Sequence, residues 1–248
     1  MKFSESMKAY FKRNWRRRDM TNFGKIPLQA HKTLRMVYRT LFFSMMCSTV
    51  GSYLHLFFEA GGLFTVFISV ASLLWLCFTS PQSVRKRVSL LMIAAFTFGA
   101  SIGIFTKYLF NIDQVLVSSF LAGSTIGIGT FWFGARKTRQ RSLIYLGCLL
   151  YSCGLIFCSF VVNVFHILDS RTAHSMFKVT AMLTLFMGYF VVYSQEILYD
   201  AGFGNINFVN CTLTVLFRLP AIVVHAARLY RGAKFQRRPR HKIAWGIV

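Results

Sequence analysis

Six runs of this chain contain no Asp, Glu, Lys or Arg and are dominated by apolar residues: Thr40–Phe58, Ala60–Val84, Val88–Thr106, Gln114–Ala135, Ser142–Leu168 and Val179–Gln195. A helix needs roughly 17–25 apolar residues to cross the hydrocarbon core of a bilayer. Six runs of about that length predict six transmembrane helices. A soluble helical bundle would carry polar faces at helical period, and these runs lack them. Over the 248 residues, apolar residues make up 55% and charged residues 15%, against about 25% charged in soluble domains. The expected fold is an all-α polytopic membrane protein, with six transmembrane helices around a seventh central or re-entrant segment.

The charges between the runs set the topology. The net charge is +22, from 29 basic and 7 acidic residues. Basic clusters beside aromatics can bind nucleic acid, but here they lie at the ends of spans, where positive charge fixes orientation. No nucleic-acid partner is expected; the lipid bilayer is. Up to Arg39 the N-terminal tail holds eleven Lys and Arg against Glu5 and Asp19, which keeps that end in the cytosol. Loop one then offers only Glu59, loop two Arg85, Lys86 and Arg87, and loop three Lys107 against Asp113. Loop four brings Arg136, Lys137, Arg139 and Arg141, and loop five mixes Asp169, Arg171 and Lys178. Three parts follow: a basic cytosolic arm over 1–35, a transmembrane bundle over 36–230 and a basic tail over 231–248.

The last apolar segment, "CTLTVLFRLPAIVVHAARLY" from Cys211 to Tyr230, breaks this pattern. A full seventh span would carry Arg228, Arg231, Lys234, Arg237, Arg238, Arg240 and Lys242 outside, against the positive-inside rule. Arg218 at its centre costs about 2.5–3.5 kcal/mol on insertion scales. Pro220 costs about 3 kcal/mol in a helix interior. The segment is therefore expected to avoid lipid, either as a re-entrant element or as a central helix shielded by the other six.

Smaller features add little chemistry. The cysteines Cys47, Cys77, Cys148, Cys153, Cys158 and Cys211 form no zinc spacing and read as small core hydrophobes. Two GxxxG pairs, Gly99 with Gly103 and Gly123 with Gly127, allow helices to approach closely. The sequon at Asn210 lies in an apolar segment and is expected to be unused. The first 35 residues hold no signal-peptide core. Phe3, Met7, Tyr10 or Phe11, and Trp15 recur at helical spacing among basic residues, as in an interfacial helix or a mitochondrial presequence.

The order of motifs resembles the Bax inhibitor-1 (transmembrane BAX-inhibitor-motif) family. "VYRTLFFSMMCSTVGSYLHLF", with its Gly51, Tyr53 and His55, is similar to the first helix of that family. "WLCFTSP" followed by "RKRVSLLMIAAFTFGASIG" is similar to its second span, turn and third span, and "RSLIYLG" to the start of its fifth. The resemblance runs from about Val37 to Leu229. It implies six helices around a seventh segment, with roles in calcium leak from the endoplasmic reticulum and in suppressing cell death. It also implies a pair of aspartates, one in the sixth helix and one in the seventh segment, that share a proton and act as a pH-sensitive latch.

This chain departs from the family at those positions. The first aspartate falls on Ser194, the second on Arg218, and a nearby third on Thr214. The glycine-proline of the third span is Gly103–Ile104, and an acidic position after it is Lys107. A calcium path favours anionic oxygen ligands, whereas a guanidinium cannot be deprotonated and repels cations. Arg218 is expected either to pair with Glu196 or Asp200, locking the bundle, or to snorkel to the cytosolic interface. On helical spacing, Glu196 sits about 200° round from Ser194 and points elsewhere.

Two functions follow. One is a regulator of cell death and organelle calcium with an impaired or absent pH-gated leak, acting through membrane partners of the cell-death machinery. The other is a cation leak using Ser194, Gln195, Asn205, Asn207, Asn210, Thr212 and Thr214, a polar stripe without acids. Neither needs a cofactor or metal. The sequence holds no His-Glu-x-x-His, paired intramembrane aspartates or serine-protease motif, so no enzyme is expected. The expected location is an intracellular membrane, the endoplasmic reticulum first, with the mitochondrial inner membrane and the Golgi as alternatives.

Overall fold

The computed structural model describes residues 24–59, 61–110, 114–165, 170–203 and 207–216; for 103–110, 163, 170–171, 200 and 202–203 it describes the backbone alone. The described chain is all helical apart from one isolated β-bridge, Lys25 with Gln140. Its helices are α1 (Leu28–Phe58), α2 (Leu63–Phe78), α3 (Val84–Phe110), α4 (Gln114–Lys137), α5 (Arg141–Val164) and α6 (Ser170–Phe203). A further helical stretch, α7, covers 208–216. Each of the six uncharged runs supplies the body of one of the first six helices, so the segmentation read from the sequence holds.

Span count is a coarser match. Among the described residues, four helical stretches are long and apolar enough to cross a membrane: Leu28–Phe58, Gln114–Lys137, Arg141–Val162 and Thr172–Tyr199. Helix α2, at 16 residues, is shorter than the run that predicted it. The reason is local. Pro81 and the turn "SPQS" keep the helix from continuing, because proline pushes Ser80 before it toward extended backbone, and the C-cap Thr79 has already left the helix with ψ 130°. Thr79 closes the end by giving both its N–H (2.9 Å) and its hydroxyl (2.8 Å) to the Trp75 carbonyl.

Helix α1 is the hub, packing on α3, α4 and α6. Gly51 and Gly99 make the α1–α3 contact possible. A methyl at Gly51 would overlap the Phe96 carbonyl, and one at Gly99 would overlap the Ser48 carbonyl. Between α1 and α4, Ser52 and Ser118 hydroxyls meet at 2.7 Å, and Thr49 and Thr125 at 2.9 Å. Lipid supplies no hydrophobic drive between helices, so close packing and such hydrogen bonds, about 0.6 kcal/mol each, hold them together. In contrast, α2 packs on α3 alone among the first six helices.

The outer surface suits lipid. Phe57, Phe64, Phe67 and Phe78 are 74%, 75%, 72% and 86% exposed. A coat of this kind is an aggregation hazard in water and a match to acyl chains in a bilayer. It also corrects the reading of the cysteines as core residues. Cys148 is buried and Cys47 and Cys211 are half-buried, but Cys77, Cys153 and Cys158 are exposed. In a bilayer an apolar cysteine costs nothing on the outer face, so sequence hydropathy does not assign it to the core.

The loops sort by charge. The N-terminal segment crosses the α4–α5 loop, with Ile26 N–H on the Arg139 carbonyl at 3.0 Å and His31 Nε2 3.2 Å from the Thr138 carbonyl. Arg87 at the start of α3 reaches Asn210, and Arg141 at the start of α5 reaches Gln195. The basic loops two and four thus lie at the same end of the bundle as the chain entering α1. At the other end Glu59, in the left-handed region at φ 50°, closes α1, and Gly61 N–H bonds His55 Nδ1 at 2.8 Å. This is the sidedness that the positive-inside rule predicts.

Candidate functional site

At the basic end the helices meet around the last turns of α6. Residues 193–198 are all buried, six in succession, so α6 is covered on every side there. An ordinary surface helix buries one stripe only. This changes the expectation for Glu196. Helical spacing does put it on another face from Ser194, yet Glu196 is 8% exposed and Ser194 fully buried. Both faces are interior because α6 is encased at this level.

Ser194 is the first of the positions where the resemblance implies an acid. Its hydroxyl donates to the Phe190 carbonyl at 2.7 Å, one turn back. Around it sits an aromatic cage. The Tyr38 ring of α1 lies tilted, its centroid 5.6 Å from Phe131 and 5.5 Å from Phe190, and Phe131 meets Phe190 edge-on at 4.7 Å. Tyr38, Phe131 and Phe190 are fully buried. A neutral hydroxyl that returns its proton to its own helix is compatible with such a cage. A carboxylate would need a cation or several donors there.

The flanking polar groups are held by arginines. Arg141 gives Nη1 to Gln195 Oε1 at 3.0 Å, tying α5 to α6. Arg87 gives Nη2 to Asn210 Oδ1 at 2.7 Å, tying α3 to α7. Arg87 is 5% exposed, whereas its neighbours Arg85 and Lys86 are exposed. Tyr193 Oη donates to the Cys211 carbonyl at 3.0 Å, a second tie from α6 to α7. Within α7, Asn207 Oδ1 accepts Val209 N–H at 3.1 Å, and Thr212 and Thr214 donate to the Phe208 and Asn210 carbonyls.

Neither arginine contact was read from the sequence, where both cations counted as loop charge. Helical phase carries the signal. Arg87 shares a face with the buried Leu91 and Ala94, and Arg141 with the buried Tyr145 and Cys148, at spacings of three, four and seven.

Other sequence candidates divide clearly. Gly99 lies against α1, as described above. Methyls at Gly123 and Gly127 would press into Leu183 and Met187 of α6, so this GxxxG pair faces a helix of the same chain. Gly103 and Asp200 are described by backbone alone. Lys107 is likewise described by backbone alone, whereas Arg218, Pro220, Asn205, residues 1–23, the basic tail over 231–248 and most of the Cys211–Tyr230 segment lie outside the described residues. Asn210 is a partner of Arg87, which gives its side chain a role unrelated to the sequon. Among the described residues no three His, Cys, Asp or Glu side chains gather into a metal site.

Apolar helices with a lipid-facing coat, joined at one end by a neutral layer held by arginines, define a polytopic helical membrane protein. Residues 30–232 match the family described as "Inhibitor of apoptosis-promoting Bax1". The chain is 31% identical to Bax inhibitor 1 of Arabidopsis thaliana over 212 residues, 86% of this chain and 85% of that one. It is 32% identical to Bax inhibitor 1 of Oryza sativa subsp. japonica over 212 residues, 85% and 84% of the two chains. With Bax inhibitor 1 of Homo sapiens it shares 26% over 151 residues, 59% and 64%. The chain belongs to the Bax inhibitor-1 family. No solved structure matches it significantly.

Proposed function

We propose that this protein is a multi-pass regulator of cell death and organelle calcium in an intracellular membrane, the endoplasmic reticulum first, with an impaired or absent pH-gated calcium leak. Six spans surround the seventh segment in this reading, and its partners are the bilayer and membrane proteins of the cell-death machinery. Relatives over most of the chain bear the name Bax inhibitor 1, which supports the cell-death role.

The observation that carries the missing latch is Ser194. It occupies a fully enclosed position and donates to its own helix, where a proton-sharing latch needs a carboxyl group. The stripe offered as a substitute is poorly suited to a cation. Two of its amides, the buried Gln195 and Asn210 at its edge, turn their oxygens toward guanidinium groups, and calcium is repelled by positive charge at its ligands. Arg218 adds a further cation from the sequence and pairs, in this reading, with Glu196 or Asp200.

The test is calcium flux from liposomes holding purified protein. The wild type is expected to leak slowly at every pH from mildly acidic to neutral. The double variant Ser194→Asp with Arg218→Asp should leak faster, with a pH dependence that neither single variant shows. A strong leak from the wild type would support the cation-leak reading instead. Unchanged flux in the double variant would refute the latch assignment.

A further inference from the structure

At the basic end, the segment entering α1 and the α4–α5 loop enclose a cleft of about 330 Å³. Lys25, Arg136, Lys137 and Arg139 line it, with His31 and Gln140. No carboxylate pairs with any of these four cations among the described residues, although Lys137 also lies over the Phe133 ring at 5.6 Å. Like charges gathered this closely repel one another, and an anion relieves that repulsion. The cleft is also held in shape. The Lys25–Gln140 bridge, the Ile26–Arg139 hydrogen bond and the His31–Thr138 contact tie its walls together.

Position identifies the source of the anion. The cleft sits where α4 ends, α5 begins and α1 enters, at the ends of three membrane-crossing helices. That level is the headgroup layer, and on the positive-inside rule it belongs to the cytosolic leaflet. Helix α5 adds its N-terminus, whose N-cap Gln140 makes no side-chain cap and whose first turn holds no acid, so its partial positive charge points the same way. A headgroup with one negative charge leaves most of the four cations unmatched. A phosphomonoester brings about two charges and three acceptor oxygens. We propose that this cleft binds the phosphorylated headgroup of an anionic lipid in the cytosolic leaflet.

The experiment uses the full chain in nanodiscs of phosphatidylcholine carrying a small fraction of fluorescent phosphatidylinositol 4-phosphate. Binding is read by quenching, and size-exclusion profiles confirm that each variant is folded. At about fivefold for each cation removed, Arg136→Gln with Arg139→Gln should weaken binding about twenty-five-fold, and Lys25→Gln about fivefold. Arg85→Gln with Lys86→Gln, the same charge change on exposed residues of loop two, should have little effect. An equal loss in that control would mean general attraction to a basic surface and would overturn the site. Phosphatidylserine competing as well as the phosphorylated lipid would overturn the headgroup. Soluble inositol phosphate binding as tightly as the lipid would move the ligand from the membrane to the cytosol.

Discussion

Replacing Asn210 by Leu should destabilise the bundle through Arg87. Arg87 is 5% exposed, and its guanidinium bonds Asn210 Oδ1 at 2.7 Å. Its Nε and Nη1 have no partner among the described residues, so the substitution removes its acceptor in this layer. A hydrogen bond to a charged group contributes about 1.5–3 kcal/mol. Breaking a buried ion pair costs about 3–5 kcal/mol, which sets a ceiling because Asn carries no charge. Taking about 2 kcal/mol, and about 2–4 °C per kcal/mol for a chain of this size, Asn210→Leu should lower Tm by about 4–8 °C. Arg87→Met removes the donor together with its need for a partner and should cost less. The double variant should match Arg87→Met alone, leaving a coupling of about 2 kcal/mol. Thermal unfolding in one detergent, followed by tryptophan fluorescence, measures all four corners of the cycle. Additive shifts, or a Tm change under about 2 °C for Asn210→Leu, would refute the buried arginine tie.

Two further tests bear on packing and sidedness. Gly99→Leu must displace the Ser48 backbone and should abolish a monodisperse profile on size exclusion, whereas Gly154→Ala, with nothing within 4 Å, should raise stability by up to about 1 kcal/mol. In a cysteine-free background, cysteines at Ser83 and Lys137 should react with an impermeant maleimide from the same side of sealed vesicles, and one at Glu59 from the other. Labelling of all three from one side would overturn the orientation read from the loops.

The helices were legible because membrane insertion leaves a coarse mark, a long run without charge, that survives any detail of packing. The family was legible for a related reason, since "GSYLH", "FTSP" and "RSLIYLG" follow in order in α1, at the end of α2 and at the start of α5. The site was legible only in part. Resemblance located Ser194, but its cage of Tyr38, Phe131 and Phe190 comes from three helices far apart in sequence. Arg87 was hidden among three consecutive cations that look alike until helical phase turns one of them inward. The cysteines misled for a physical reason: apolar character in a membrane protein does not separate the core from the coat.

Helix α2 has a consequence for where the protein can sit. At about 1.5 Å per residue its 16 residues reach about 24 Å, short of the roughly 30 Å of an average hydrocarbon core and nearer the roughly 27 Å of the endoplasmic-reticulum bilayer. Helices α1 and α3 are longer, at 31 and 27 residues, and α3 is its one partner among the first six helices. With α2 as one of the six proposed spans, lipids beside it thin to meet its ends, at a penalty that grows with every ångström of bilayer thickness. On that six-span reading the protein is a thickness gauge, most at ease in thin membranes and strained at one edge in the sterol-rich membranes of the cell surface.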